Sequence, residues 1–420
     1  MRQSLLFGKT LRELQSDEVS VNAKLLLRGG FIDKLMSGSY TYLPLGLAVL
    51  QNIAALIRQE MNAIGGQEVL MPALHPKEAW EQTGRWKDPG REVMFQFSGR
   101  GDRQYGLGWT HEEIITPLAK KFVSSYKDLP LKLYQIQTKF RDEPRAKSGL
   151  LRGREFMMKD LYSFHGSETD LDEFYERAKG AYLKIFKRAG LEAILTEASG
   201  GAFSQYSHEF QVATPAGEDI VITCAGCDYA QNREIAKQKS GDACTRCKGE
   251  IQAQRAIEVG NIFKLKTRFT EAVRFTYRGE DGTSNPVLMG CYGIGLGRVM
   301  GAIVEVHHDE RGILWPEAVA PFSAHLLRLQ RDRRLGKTAD ALYASLQKSG
   351  FSVLYDDREE SSIGEKLADA DLIGIPLRLV ISEKTLEKNQ IEVKLRGEPA
   401  AALMPEKDLI KYLKTVLGRV

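Results

Sequence analysis

No stretch of the 420 residues approaches the roughly 18 consecutive apolar positions that a membrane-spanning helix needs. The N-terminus mixes Arg2, Lys9 and Arg12 with Glu13, Asp17 and Glu18 and has no apolar core of the kind that directs export. Cysteine is scarce: five residues, unevenly placed, cannot staple a chain of this length with disulfides. Net charge is scarce as well. Fifty-nine basic residues face 55 acidic ones, giving +4, so a polyanionic partner must be met by local patches and not by a pervasive basic field. Nothing repeats and no segment is of low complexity. Membrane proteins, disulfide-framed secreted domains and repeat arrays are thereby excluded, and a soluble, cytoplasmic chain is expected. What is present, 43% hydrophobic and 27% charged residues, is globular composition, and the length calls for two or three domains.

Two rhythms run along the chain. Leu47, Leu50, Ile53, Ala54, Ile57, Met61 and Ile64 recur at three- and four-residue steps, which predicts an amphipathic helix over 45–64, opened by Pro44 and stopped by Gly65 and Gly66. A short strand, 68–71, is closed by Pro72. Residues 131–141 alternate: Tyr134, Ile136, Thr138 and Phe140 share one face, and Gln135, Gln137, Lys139 and Arg141 the other. With the extended run 154–164 they predict an antiparallel hairpin. A helix over 171–189, a strand over 287–292 and a helix from Leu296 follow. Beyond Trp315 and Pro316 the order becomes strand 324–329, helix 338–349, strand 351–356, helix 363–373, strands 375–382 and 390–396, and helix 406–417. The expectation is an α+β domain on an antiparallel sheet over 1–315, then an α/β domain over 321–420.

Residues 139–159 hold seven basic side chains against three acidic ones. A charge run usually marks a solvated face, but the spacing here is ordered. Phe140-Arg141-x-Glu143 is followed across a loop by Arg152, Phe156 and Asp160. Arginines that fork onto phosphates, with a ring to stack on a base, suit a nucleoside triphosphate. Gly290-Cys-Tyr-Gly-Ile-Gly-Leu-Gly-Arg298 leaves a strand and enters a helix. A dinucleotide fingerprint would need glycine at the sixth place after Gly293, which is Arg298. The two strings resemble the second and third signature motifs of class II aminoacyl-tRNA synthetases. Helix 45–64 with the strand before Pro72 fits the looser first motif, which in that family builds a dimer interface.

Three strings are similar to the proline-specific branch: Gly108-Trp-Thr110-His-Glu112-Glu, Tyr206-Ser-His208-Glu-Phe210, and Lys139-Phe-Arg-Asp-Glu-Pro144. Tyr355-Asp-Asp-Arg358 and Ala368–Pro376 resemble its anticodon-binding module, so the likeness covers nearly the whole chain. It implies a ligase that joins proline to tRNA(Pro) with ATP and Mg²⁺. Arg141 and Arg298 are implied as catalytic; Arg141, Glu143, Arg152, Phe156 and Arg298 as the ATP set; Thr110, Glu112, Arg141 and His208 as the proline set; Arg358 and Lys366 as tRNA contacts. A homodimer is implied too. Trp109 stands where the family usually has proline, which leaves the conformation of that loop open. Rival readings are a threonine enzyme, against which the Thr-x-Glu string argues, and a non-catalytic tRNA-binding relative, against which the intact arginine set argues.

Cys224-x-x-Cys227 and Cys244-x-x-Cys247 are separated by sixteen residues. Zinc-ribbon spacing of this kind closes a tetrahedral structural site, with a redox pair or idle thiols as the alternative. The expectation is a structural Zn²⁺ in a ribbon-like insert over 220–255. Many bacterial members of the resembled family carry an editing insertion between motifs two and three. The strings Lys139–Pro144 and Gly290–Gly295 resemble the bacterial and mitochondrial form, and only nine residues separate Glu234 from Cys244, so that form without the insertion is expected. Clearance of mischarged alanyl-tRNA would then fall to a separate hydrolase.

Overall fold

The computed structural model describes residues 1–13, 18–201, 203 and 206–416. They gather into two compact units, one made of 36–39 and 54–302, the other of 1–35, 40–53 and 303–420. No helix among the described residues is long and apolar enough to cross a membrane.

The first unit is built on a nine-stranded sheet. In chain order its strands are β1 (Gln67–Glu68), β2 (Leu131–Phe140), β3 (Glu155–His165), β4 (Ala193–Ser199), β5 (Tyr206–Ala213), β6 (Asp219–Cys224), β7 (Ala230–Asn232), β8 (Ile251–Lys266) and β9 (Leu288–Gly295). Across the sheet they run β5-β4-β7-β6-β8-β9-β3-β2-β1, with β5 also paired to β8. The expected hairpin forms with Leu131 opposite Phe164 and Phe140 opposite Glu155. β9 lies on the other side of β3, placing Gly293 opposite Asp160, so the two nucleotide-like strings sit on adjacent strands. The predicted strand over 68–71 shrinks to two residues, because beyond it the chain turns toward Pro72, whose carbonyl accepts from both His75 and His111. Helix Glu168–Arg188 begins three residues before its first apolar repeat, since the Ser167 hydroxyl accepts from Asp170 N–H and caps it. Its buried Phe174, Tyr175, Tyr182, Ile185 and Phe186 cover one face of the sheet.

The second unit carries a five-stranded sheet of β10 (Ala324–Arg328), β11 (Val353–Asp356), β12 (Leu377–Ile381), β13 (Gln390–Leu395) and β14 (Ala402–Pro405), in the order β11-β10-β12-β13-β14. The first three are parallel and the last two antiparallel. Helices Arg333–Lys348 and Glu406–Val416 pack Leu335, Leu342, Leu346, Leu409 and Leu413 against Leu326, Val353, Leu379 and Val393. The former starts five residues earlier than the apolar rhythm indicates, because Asp332 Oδ1 accepts from the Arg334 and Leu335 amides. Position 417, the predicted end of the last helix, lies outside the described residues. The N-terminal segment belongs to this unit. Tyr355 N–H donates to the Met1 carbonyl at 2.9 Å, and the buried His325 Nε2–H donates to Gln3 Oε1 at 2.8 Å. That attachment makes the compact units differ from the continuous stretches 1–315 and 321–420.

Candidate active site

β2, β3, β8 and β9 line a cavity of about 400 Å³ on the sheet face opposite helix Glu168–Arg188. Six of the expected residues open onto it: Thr110, Arg141, Glu143, Arg152, Phe156 and Arg298. Arg141 directly follows β2, its guanidinium 5.2 Å from the Phe156 ring centroid, and its Nε has no hydrogen-bond partner among the described residues. Burial, with Arg298 adding repulsion, lowers its pKa. A half-buried arginine whose Nε lacks a partner among the described residues is an electrostatic invitation to an anion. Arg152 lies 3.0 Å from Glu143 and 2.8 Å from Glu218. Burial is the largest single influence and raises the Glu143 pKa, but hydrogen bonds from Arg152 and the Arg145 amide, with the charges of Arg152 and Arg141, together outweigh it and the net shift is downward. Arg298, on the first turn after β9, donates to Glu258 at 2.9 Å and to the Leu151 carbonyl at 3.0 Å.

Thr110 and Glu112 meet at the inner end of the cavity. The Thr110 hydroxyl donates to Glu112 Oε2 at 2.5 Å, and the Cys291 thiol donates to Oε1 at 3.2 Å. Thr110 and Cys291 line the cavity, and Glu112, with no exposed surface, stands directly behind them. Beneath this pair the polar row of β2 is buried instead of solvated. Lys139 Nζ lies 2.9 Å from Asp160 and donates to His111 Nδ1 at 2.7 Å, so His111 carries its proton on Nε2 and gives it to Pro72 O. Asp160 also accepts from Gln135 and from the Tyr162 hydroxyl, each at 2.9 Å, and Tyr162 in turn accepts from His111 N–H. Burial drives the His111 pKa far down, with Lys139 adding to it. The loop that presents Thr110 is thus tied to a buried hydrogen-bonded network.

The remaining expected residues lie elsewhere. His208 is on β5 but faces helix Glu168–Arg188, where its Nδ1 and the Tyr175 hydroxyl share a hydrogen bond of 2.8 Å; it does not line the cavity with Thr110. In the second unit Arg358 forks onto Asp356 and lies 2.9 Å from Asp369. Lys366 is 2% exposed and donates to the Arg328 carbonyl, so its ammonium has no face to offer a nucleotide. Sequence inspection did not single out Arg85, which holds Glu112 and Glu113, or Glu258, which holds Arg298. Neither sits in a string with a recognisable spacing.

The four cysteines converge. Their sulfurs all lie within 4.8 Å of one another, with Cys224 to Cys247 at 3.4 Å and Cys227 to Cys244 at 3.7 Å, too far for disulfide bonds. Tetrahedral zinc at 2.3 Å from each sulfur needs edges of about 3.8 Å. Backbone N–H groups of Gly226, Arg246 and Gly249 point at Cys224, Cys244 and Cys247. A Cβ at Gly226 or Gly249 would come within 3.2 Å of a sulfur, so both glycines leave room for the cluster. The donor set fits a structural zinc.

A family model of the tRNA synthetase class II core domain (G, H, P, S and T) matches residues 95–307, and one of the anticodon binding domain matches residues 318–416. The proline–tRNA ligase of Dehalococcoides mccartyi (strain 195) is 34% identical over 99% of this chain and 99% of its own length. The chain belongs to the proline–tRNA ligase family. The ligases of Halothermothrix orenii, 34% identical over the full length of both chains, and of Anaeromyxobacter sp. (strain Fw109-5), 35% identical over 96% of this chain and 97% of its own, agree. The Dehalococcoides alignment spans 565 columns against 420 residues, so at least 145 columns of it face no residue of this chain. Among solved structures, prolyl-tRNA synthetase from Cryptosporidium parvum, complexed with halofuginone and AMPPNP, shares the fold. Its TM-score is 0.78 at 18% identity, over 94% of this chain and 76% of that one.

Proposed function

We propose that the protein activates proline with ATP and transfers it to tRNA(Pro), using the cavity between β2, β3, β8 and β9 for both steps. The observation that carries the reading is Arg141, half-buried and with no partner for its Nε among the described residues, standing in one cavity with Thr110, Phe156 and Arg298. A proline carboxylate oxygen attacks the α-phosphorus, the bond to the bridging oxygen breaks, and pyrophosphate leaves. A terminal ribose hydroxyl of the tRNA then attacks the prolyl carbonyl and AMP departs. Neither step needs a nucleophile from the chain. Arg141 orients carboxylate and α-phosphate and offsets the charge that grows between them. Phe156 and Arg298 enclose the adenine, Glu143 accepts from its amino group, and Arg152 and Arg298 hold the outer phosphates. Magnesium enters with ATP as part of that substrate. Thr110 and Glu112 accept the prolyl ammonium, for which a hydroxyl and a carboxylate replace the lost water.

Residues 318–416 serve anticodon recognition on this reading. The four cysteines hold zinc as a structural clip with no role in the chemistry. A homodimer is supported by an open hollow lined by Leu70, Ile114, Pro117 and Leu118, in which Leu70 is 74% exposed, as is Phe122 nearby in sequence. A cytoplasmic location follows from where charged tRNA is used. The unmatched alignment columns and the direct run from β7 through the cysteine cluster to β8 support the absence of an editing domain in this chain, which assigns hydrolysis of alanyl-tRNA(Pro) to a separate enzyme. ATP–pyrophosphate exchange with each of the twenty amino acids tests the reading. Proline alone should support rapid exchange, and Arg141→Ala should abolish it while the protein stays folded; near wild-type exchange in that variant would overturn the role of Arg141.

A further inference from the structure

Arg85 lies between two short helices, Lys77–Glu81 and Gly90–Val93, and is 2% exposed. Its Nη1 is 3.0 Å from Glu113 Oε1 and 3.3 Å from Glu112 Oε2, while Nε and Nη2 have no hydrogen-bond partner among the described residues. Aromatic rings take their place. The guanidinium carbon is 4.3 Å from the Trp109 ring centroid, 5.0 Å from those of Phe203 and Phe269, and 5.6 Å from that of Trp80. Desolvated cation–π contacts of this kind hold a planar cation firmly in one orientation. The Trp109 side chain supplies the nearest ring. We propose that Arg85 is a positioning residue for amino-acid recognition, caged by Trp109 and its neighbours so that it holds the Glu112 carboxylate against Thr110.

Charge counting supports the assignment. One guanidinium faces two buried carboxylates, so a cationic substrate beside Glu112 would supply the second positive charge that keeps both ionised. The Glu113 carboxyl is accordingly pushed up to about 7 by burial, with Arg85 opposing and Glu112 reinforcing the shift. Thr83 donates to the same carboxylate at 2.9 Å, so Glu113 is the anchor of Arg85 and Glu112 is its working end.

The inference rests on Glu112 as acceptor of the substrate ammonium, and the experiment separates the two. Proline-dependent exchange is measured on full-length Glu112→Gln, Arg85→Lys, and the double variant Arg85→Met with Glu113→Gln. The double variant removes guanidinium and anchor together, so the net charge of the cluster is unchanged while Glu112 keeps its hydrogen bonds from Thr110 and Cys291. We expect the KM for proline to rise about tenfold in Arg85→Lys and about 100-fold in the double variant, with the KM for ATP within about twofold of wild type. Equal losses for both substrates would mark a merely structural residue and overturn the proposal. An unchanged proline KM in Glu112→Gln would overturn the reading of Glu112 itself. A raised value there, with wild-type proline KM in both Arg85 variants, would overturn Arg85 alone.

Discussion

Replacing Lys139 by Met should destabilise the unit that holds the cavity, and the structure sets the size of the loss. Lys139 has no exposed surface and its ammonium lies 2.9 Å from Asp160, itself 2% exposed. At that distance the attraction is worth about 6 kcal/mol with an effective dielectric constant near 20, set against a desolvation cost of several kcal/mol per ion. Burial does outweigh the carboxylate in the lysine's titration, since its pKa falls despite Asp160. Taking away one partner exposes that imbalance and typically costs about 3–5 kcal/mol. Gln135 and Tyr162 still donate to Asp160 in the variant, which places the expected loss near about 3 kcal/mol. Adding Asp160→Asn removes the stranded charge and should recover much of it. Urea unfolding followed by tryptophan fluorescence reports on this unit, because Trp80, Trp86 and Trp109 lie in it and only Trp315 in the other. The stranded carboxyl should also hold its proton to higher pH than in the unfolded chain, so the single variant should lose stability as pH rises from about 4 toward neutrality. A single variant that unfolds at the wild-type urea concentration, or losses in single and double variants that simply add, would refute the argument.

Three further outcomes are expected. His325 is pushed down to about 4 by burial against Asp356, which works to raise it; the unfolded imidazole therefore binds protons first. Stability of the second unit, read from Trp315, should fall by about 3 kcal/mol as pH drops from 6.5 to 4, and His325→Asn should flatten that slope; parallel curves would count against it. Elemental analysis of untagged protein washed with chelator should find about one zinc per chain with sulfur ligation; zinc-free protein that is fully folded would exclude the site. Preformed alanyl-tRNA(Pro) should deacylate at its spontaneous rate in the presence of the enzyme, because nothing in the chain is assigned to correct mischarging, although each methylene that alanine lacks relative to proline is worth only about 1–3 kcal/mol of discrimination; enzyme-dependent hydrolysis would reveal an editing site.

Much of the architecture was legible because local rules and tertiary packing agree. Helix Pro44–Ala63 follows its apolar stripe and its flanking proline and glycines, and the 131–164 hairpin follows its alternation. Helix Ile363–Ile373 falls where its rhythm places it, between the Ser362 capping box and Gly374 in the left-handed conformation. The sixteen-residue β8 was missed. Buried on irregular faces and paired on both sides, it shows no clean period of two, and Gly260 interrupts it. The polar row of β2 was legible as a row but not as an interior one, because its partners Asp160 and His111 come from other segments. Arg85 was invisible for the same reason: its four rings come from positions 80 to 269, and only folding makes a cage of them. His208 shows the converse, where a matched string predicts a pocket and the pleat turns the side chain toward a helix.

The second unit is assembled from both ends of the chain, and that has a consequence for synthesis. Leu25, Leu26, Phe31, Leu45, Val49 and Leu50 are all buried in the finished protein, yet they leave the ribosome about 250 residues before the C-terminal part of their unit begins at Ile303. At 5–20 residues per second the delay is roughly 10–50 s. The intervening 54–302 segment can complete its sheet during that interval, whereas the N-terminal fifty residues wait with their apolar side chains uncovered. They must either be shielded by a chaperone or pack provisionally on whatever is nearest. The second unit therefore closes only after residues beyond Ile303 have been made.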